Sequence, residues 1–590
     1  MGLQTIVSFP TPPTASTEHG TQLFHLLSYT SATWSSYEKL FMLAACLLLM
    51  VMALWMVVEL MAWGHPGGSA WGLYSFLYCS QNTKRTDAAR SPPPIPGPRG
   101  LPFLGSLLTF AGENGKCAHR RLAALASTFG ARSLMAFSLG ATRVVVSSDP
   151  RVARQILCNP SFNERPLTTS ARKLLFDRSI GFAPSGGHWC NLRRICAAHL
   201  FSPRRIAGHE AIRQLDCTAM LDAIAKNTTR SGTVEVKLRP YLQHAALNNI
   251  MATVFGKRFD YSLVNGDVSG EAAELQSMVR EGFELLGAFN MADHLPPAFE
   301  AIDSLRIRQR CDALVPKVFT YVHSIIEQHR AHRHAASTAS SYTLRASELA
   351  SNGDSSDFVD VLLALEGEEK LCEADMISVL WEMIFRGTDT IAILIEWILA
   401  ELVLNPDIQA RLHEEIVATV GKEGHVRDVD AIRMPYLQAV IKEGQRMHPP
   451  GPLLSWARLA VHDTEVDGHL VPAGTTAMVN MWAITHDNNI WEEVDRFNPE
   501  RFVSAPNGEE SRTKAMDGNG SELRLAPFGA GARVCPGKAL ALATVSLWVA
   551  RMVQRFAMAE HPLQPVRLSE VLKLSCEMEF PLVASLTPRF

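Results

Sequence analysis

Nineteen consecutive residues without a charge, Leu40 to Val58, constrain this chain more than any other feature. At about 1.5 Å per residue in a helix they just reach across the hydrocarbon core of a bilayer, about 30 Å thick. In water so long an apolar rod would need a protein core on every side, and that is the alternative reading. A cleaved signal peptide would lie nearer Met1 and carry a shorter apolar region. The flanks favour an anchor. Trp55 and Trp63 suit the membrane–water boundary, and Lys84, Arg85, Arg90 and Arg99 follow on the C-terminal side. Positive charge there keeps the large remainder of the chain on the cytoplasmic side.

The anchor divides the chain. Residues 1–39 are Ser/Thr-rich with few charges and read as a flexible tail on the far side of the membrane, and residues 40–58 are the span. Residues 59–91 form a juxtamembrane segment, in which the apolar, glycine-bearing stretch 64–79 is too short to span and is expected at the membrane surface. Residues 92–100 carry five prolines and read as a stiff extended hinge. Residues 101–590 are then the main body, and at 47% hydrophobic the chain can fill a large core. Helical patterns dominate it, with short strand-like pieces such as Arg143–Val146, so the expected class is mainly α with small β-sheets. A net charge of −3 and no long basic run give nucleic acid no footing. The eleven cysteines are scattered and contain no C-x-x-C pair, which excludes a zinc ribbon or a disulfide scaffold.

One of those cysteines stands apart. Cys535 sits in Pro527–Gly537, a loop too rich in glycine for a strand, and a mostly apolar helix over Lys538–Val553 is expected directly after it. A thiolate just ahead of a helix N-terminus is favoured by the dipole and by the unpaired amides there. Gly531 and Gly537 let the backbone turn and let a flat ligand approach, Arg533 is within reach of an anionic group on it, and Phe528 can shield the sulfur from water. Such a loop suits a single axial sulfur ligand for haem iron. A buried free cysteine is the ordinary alternative.

The longest helical run is Met376–Leu404, stopped by Asn405–Pro406. In its middle stand Phe385, Arg386, Gly387, Thr388, Asp389 and Thr390. A threonine hydroxyl can bond back to a carbonyl and bend a helix, so this is either a structural kink or a widened groove in which Thr390 and Asp389 relay protons to O2. Trp189 and Arg193 are four apart, hence on one helical face, and can donate to a carboxylate; a surface cation–π pair is the plainer reading. Glu443 and Arg446 are one of several opposite-charge pairs at that spacing. Only their place in the chain distinguishes them, ahead of Arg458, then Arg501, then the cysteine loop.

Phe528-x-x-Gly531-x-Arg533-x-Cys535-x-Gly537 fills every slot of the haem-thiolate signature of the cytochromes P-450, and the other motifs occur in that family's order. From Pro92 onward the chain resembles the membrane-anchored plant members of this family. Ile180–Pro184, Trp381–Thr390 and Ala473–Trp482 look most like the A-type group that contains the organ-growth regulator KLUH. The resemblance implies the cytochrome P-450 fold with Cys535 as haem-iron ligand. Arg533, Phe528, Gly531, Gly537, Trp189, Arg193 and Arg458 would surround haem b, with Trp189, Arg193, Arg458 and Arg533 at its propionates. Glu443, Arg446 and Arg501 would form a buried triad, and Thr390 and Asp389 would serve oxygen activation. Arg386 departs from the family's usual small residue, and Ile391 from a common Thr or Ser. By position, Phe182, Phe385, Leu454 and Met578 are candidate pocket walls.

The activity implied is insertion of one oxygen atom from O2 into a lipophilic small molecule, a fatty acid or a related growth-signal precursor. The chain has no dinucleotide loop of its own, since Val534 stands where the third glycine after Gly529 and Gly531 belongs. Electrons would come from NADPH through a flavin-bearing cytochrome P-450 reductase, docking near Arg193, Arg194 and Lys538. The expected location is the endoplasmic reticulum membrane, single-pass, with a lumenal tail and a cytoplasmic catalytic domain. Two alternatives stay open: a reductase-independent isomerase or dehydratase of lipid hydroperoxides, and a non-catalytic haem scaffold.

Overall fold

The computed structural model describes residues 36–82, 93–230, 235–260, 270–296, 299, 305–340, 357–454, 457–503 and 523–589. The tail 1–35, the basic residues Lys84, Arg85 and Arg90, and most of the Ala/Ser-rich stretch before Asp357 lie outside them. The chain divides into a unit ending at Ala62 and a second running from Trp63 to the C-terminus.

Within the first unit the apolar run lies in helix α1, Ser36–Trp63, which extends it at both ends. Among the described residues this is the one helix long and apolar enough to cross a membrane, with a mean hydropathy of 2.7 over its most apolar window.

The second unit starts earlier than the sequence suggests. The stretch expected at the membrane surface contains a helix, α2, Ser69–Asn82. Its Trp71 is only 4% exposed and donates its indole N–H to the Phe137 carbonyl at 3.1 Å. Phe137 belongs to β1, Met135–Leu139. Ser138 of the same strand donates its hydroxyl to the Gly67 carbonyl at 2.7 Å and accepts the Ala70 amide at 3.1 Å. The proline-rich segment is extended, as pyrrolidine rings require. It does not hang free, because Ile95 is buried and the Pro96 carbonyl accepts the Ala136 amide at 2.9 Å. Trp63 closes the arrangement by donating to the Gly100 carbonyl at 3.0 Å.

β1 pairs antiparallel with β2, Thr142–Ser147, placing Phe137 opposite Val144. β2 is built on Val144, Val145 and Val146, and β1 is buried at all five positions, a setting that favours β-branched and large apolar side chains. Helices come next: α3, Gly187–His199, α4, Arg239–Phe255, and α5, Glu271–Gly287. The central rod is α6, Glu373–Leu404, whose first turn carries Glu373 and Asp375 against the positive end of the helix dipole. Apolar on nearly every face, it is buried on nearly every face. α7, Pro435–Met447, and α8, Lys538–Arg555, pack around its C-terminal half. Trp397, Trp548, Val440 and Leu399 there are each no more than 1% exposed. β3, Arg458–Leu459, and β4, Thr476–Val479, complete the first sheet in the order β1-β2-β4-β3, with β4 parallel to β2. A hairpin of β5, Glu570–Leu572, and β6, Cys576–Met578, reaches towards α6.

Candidate active site

The cysteine loop is shaped by its own backbone. Gly531 sits at φ +69°, and a Cβ there would lie 2.1 Å from the Leu157 carbonyl oxygen, so no other residue fits. The Cys535 amide donates to the Phe528 carbonyl at 3.0 Å, folding the sulfur back under the loop just before α8 begins. Burial pushes the Cys535 thiol up; the Gly537 amide and the charges of Arg386 and Arg193 pull the other way and do not overcome it.

Between this loop and α6 lies a cavity of ≈ 1810 Å³ of atom-free space, counting its open mouth. Cys535, Phe528, Gly537, Arg533, Arg193, Arg458, Thr390 and Leu454 all line it. Cys535 is the one cysteine to do so among the described residues. Cys576 is buried in β6, where its thiol donates to Glu570 at 3.4 Å beside His119.

Four guanidiniums crowd one side of this chamber: Arg165, Arg193, Arg458 and Arg533. Arg533 donates to the carbonyls of Asn163 at 2.8 Å, Ala183 at 2.7 Å and Ile180 at 3.2 Å. Arg193 reaches the Val534 carbonyl at 2.8 Å, and Arg458 the Ala530 carbonyl at 3.1 Å. Burial, and then the neighbouring arginines, hold Arg458 down at about 10 and Arg165 well below the usual guanidinium range. Arg458 Nη1 is buried with no hydrogen-bond partner. Such a cluster is costly until an anion enters it. A flat ligand with two carboxylates on one edge meets that need, and the residues present fit haem.

Arg165 was not among the residues singled out from the sequence. Its only local signal is the short run Asn163-Glu164-Arg165-Pro166, and its charged neighbours are distant in the chain. Trp189 does not reach the chamber. It donates its indole N–H to the Ile180 carbonyl at 3.0 Å and carries Arg533 over its ring at 4.2 Å, supporting an arginine that does.

On the opposite wall α6 runs unbroken through Phe385–Thr390. Thr390 faces the chamber, its hydroxyl bonded back to the Arg386 carbonyl at 3.3 Å. Gly387 is a packing requirement as well, because a Cβ there would stand 2.7 Å from the Ile250 side chain of α4. Asp389 turns away from the thiol. It lines a second, charged cavity with Arg239, Gln243, Arg280, Lys573 and Glu577, which shares Phe283 and Ser575 with the first. Burial, and then the Glu577 charge, push its carboxyl up to about 6.

The pocket-wall expectations divide. Leu454 lines the chamber. Phe385 does not, being fully buried and stacked on Phe283 with ring centres 4.2 Å apart. Phe182 and Met578 are likewise buried in hydrophobic clusters, away from the lining. Phe385 lies one helical turn beyond Trp381, so it shares that residue's core-facing side of α6. Glu443, Arg446 and Arg501 do come together, Arg501 donating to Glu443 at 3.0 Å.

A family model for cytochrome P-450 matches residues 95–577. Cytochrome P-450 78A11 of Oryza sativa subsp. japonica is 52% identical over 576 residues, covering 95% of this chain and 98% of its own. Cytochrome P-450 78A7 of Arabidopsis thaliana is 53% identical over 499 residues, 84% of this chain and 87% of its own. More distantly, the flavonoid 3'-monooxygenase of Petunia hybrida is 31% identical over 514 residues, 85% and 93% of the two chains. With a chamber built for an anionic flat ligand and a match over nearly its whole length, this chain belongs to the cytochrome P-450 family of monooxygenases, which bind haem b through a cysteine thiolate.

Proposed function

We propose that Cys535 supplies the thiolate and that the chain oxidises a lipophilic small molecule, a fatty acid or a related growth-signal precursor, in plant organ growth. The observation that carries this is the position of Cys535: the sole cysteine on the cavity wall among the described residues, in the loop under α6, facing Thr390 across the chamber. Bound haem supplies activation of O2 for insertion of one oxygen atom into a C–H bond. The protein's part is to bind, orient and exclude water. Arg165, Arg193, Arg458 and Arg533 hold the cofactor's carboxylates, and Phe528 shields the sulfur side. Thr390 holds a proton within reach of the chamber, and Asp389 exchanges protons with the charged cavity behind α6. Aliphatic side chains such as Leu394 and Leu454 receive an apolar body.

Electrons come from a separate NADPH-dependent cytochrome P-450 reductase, docking near Arg193, Arg194 and Lys538. α1 anchors the enzyme in the endoplasmic reticulum membrane, with the tail lumenal and the catalytic domain cytoplasmic. A hydroperoxide isomerase would need neither reductase nor a hydroxyl at position 390, so Thr390 speaks against it. The test is the reduced CO complex of the purified full chain, with absorbance expected at about 450 nm. Cys535→Ala should lose the band and Cys576→Ala should keep it. A band that survives Cys535→Ala overturns the assignment.

A further inference from the structure

Away from the haem chamber, three groups of histidine, cysteine and carboxylate side chains among the described residues stand close enough to share an ion. Two of them already hold a permanent cation, Arg120 on Glu570 in one and Arg330 on Glu327 and Glu373 in the other. The third joins His329 to Asp357 and Asp360, and among the described residues no lysine or arginine bonds either carboxylate. His329 lies on the helix Ile307–Ser340. Asp357 caps the short helix Phe358–Ala364 and accepts the Asp360 amide at 3.0 Å.

The imidazole is held in one sense. Its Nδ1 meets the Ile325 carbonyl, one turn earlier, at 2.8 Å, a contact only a protonated nitrogen makes. Nε2 therefore faces Asp357 Oδ2, 2.9 Å away, with the two side chains 15% and 13% exposed. A lone pair set against a carboxylate at that distance needs a positive charge between them, either a proton or a metal ion. The half-buried Asp360 brings a second carboxylate, and one ligand atom from each of the three residues lies within 4.8 Å of the others. A single proton balances only one of the two negative charges, whereas a divalent ion balances both. The charged neighbours do not fill that place. Arg333 donates to the backbone carbonyl of Asp360 at 3.2 Å, and His332 and the buried His209 act on the aspartates only through space. Gly256, at the end of α4 with φ +62°, leaves room for Asp357, because a Cβ there would lie 2.6 Å from Oδ2.

One imidazole nitrogen and two carboxylate oxygens make a donor set suited to zinc, with water as the fourth ligand. Ligands about 2.0–2.1 Å from a tetrahedral zinc stand roughly 3.4 Å apart, so small side-chain rotations close the site. The bond from Nδ1 to a backbone carbonyl is the support a zinc-bound histidine requires. We propose that His329, Asp357 and Asp360 form a zinc site that fastens the start of the Phe358–Ala364 helix to the Ile307–Ser340 helix. As the Zn–N bond forms, zinc replaces any proton on Nε2, and that proton leaves to solvent.

The experiment is a calorimetric titration of the purified, chelator-treated full-length holoenzyme with zinc chloride, repeated in the presence of magnesium chloride. Wild type should take up one more equivalent of zinc than His329→Gln or Asp360→Asn, or bind that equivalent at least about tenfold more tightly. Zinc should also raise the Tm of wild type and leave that of the variants unchanged. Magnesium, which prefers six oxygen ligands, should not displace it. Asp360→Asn, close in size and half-buried, covers the case in which His329→Gln does not fold, and the reduced CO band verifies each sample. Equal zinc uptake and equal Tm shifts in wild type and variants, meaning adventitious zinc only, overturn the site. Displacement by an equal concentration of magnesium overturns it as well.

Discussion

Glu443 receives both forked hydrogen bonds of Arg446, each 2.8 Å long, in a setting where neither side chain touches solvent. Arg446 is also tied to the Thr485 carbonyl at 2.9 Å, and Arg501, in the short Pro499–Phe502 helix packed against α7, adds its own donor to Glu443. The Asn498 amide takes a further position on the same carboxylate at 2.9 Å. The network therefore joins α7 to the segment leading towards the cysteine loop. Burying two arginines on one carboxylate is tolerable only while every partner is present. Glu443→Ala should cost about 3–5 kcal/mol, because two guanidiniums are left facing each other. The measurement is the denaturant midpoint of the holoenzyme, and a loss below about 1 kcal/mol would show the triad to be replaceable.

Thr390 presents the hydroxyl on α6 that faces the chamber, and its back-bond to the Arg386 carbonyl is long enough at 3.3 Å to be exchanged for another partner. Thr390→Ala should leave the CO band intact while raising NADPH consumed per product formed several-fold. Product yield per NADPH in a reconstituted reductase assay reads this directly. Unchanged coupling would remove Thr390 from proton handling.

Asp389 gives a signed pH dependence. Its carboxyl is raised from 3.8 to about 6 in the folded protein, mainly by burial and then by Glu577. The folded state therefore holds that proton more tightly than the unfolded chain does. The resulting stabilisation is complete below pH 3.8 and is lost as the pH rises through about 6. Asp389→Asn removes this dependence, so its stability advantage over wild type should grow between pH 5 and pH 8 towards about 3 kcal/mol at most. Parallel pH profiles of the two proteins would contradict it.

The arginine cluster predicts opposite effects with and without the cofactor. Arg165 is repelled by Arg458, Arg386 and Arg533, in addition to the cost of its burial. Arg165→Leu should raise the stability of the haem-free chain and accelerate haem loss from the holoenzyme. Arg458→Leu should act in the same sense, since Arg458 Nη1 is buried without a hydrogen-bond partner. Thermal melts of the haem-free chain, set beside haem transfer to an acceptor protein, separate the two effects. Slower haem loss in either variant would remove that arginine from the cofactor site.

Features whose chemistry is local could be read from the amino-acid sequence. The loop around Cys535 carries its turn-forming glycines, its sulfur and the start of its helix within a dozen residues, and α6 announces itself by an apolar run with a proline stop. Glu443 and Arg446 share a helical turn and were legible because Arg501 and the cysteine loop come after them in order. Residues whose role depends on distant partners were not. Arg165 means little until folding sets Arg458 and Arg533 beside it, and Trp189 serves the site only by carrying Arg533. Phe385 shows the converse error. Position in the motif suggested a pocket wall, but the side of the helix it occupies turns it into the core against Phe283. Asp389 and Thr390 are adjacent in the chain and open into different cavities, because neighbouring helical positions point about 100° apart.

The indole of Trp71 has a practical corollary. It is buried against β1 with its N–H on the Phe137 carbonyl, and Gly67 and Ala70 share hydrogen bonds with Ser138 of the same strand. A shortened enzyme that begins at Pro92 would thus be missing masonry from its own outer wall, and should aggregate or shed pigment. Trimming at Trp63 instead discards the greasy helix and leaves the building whole.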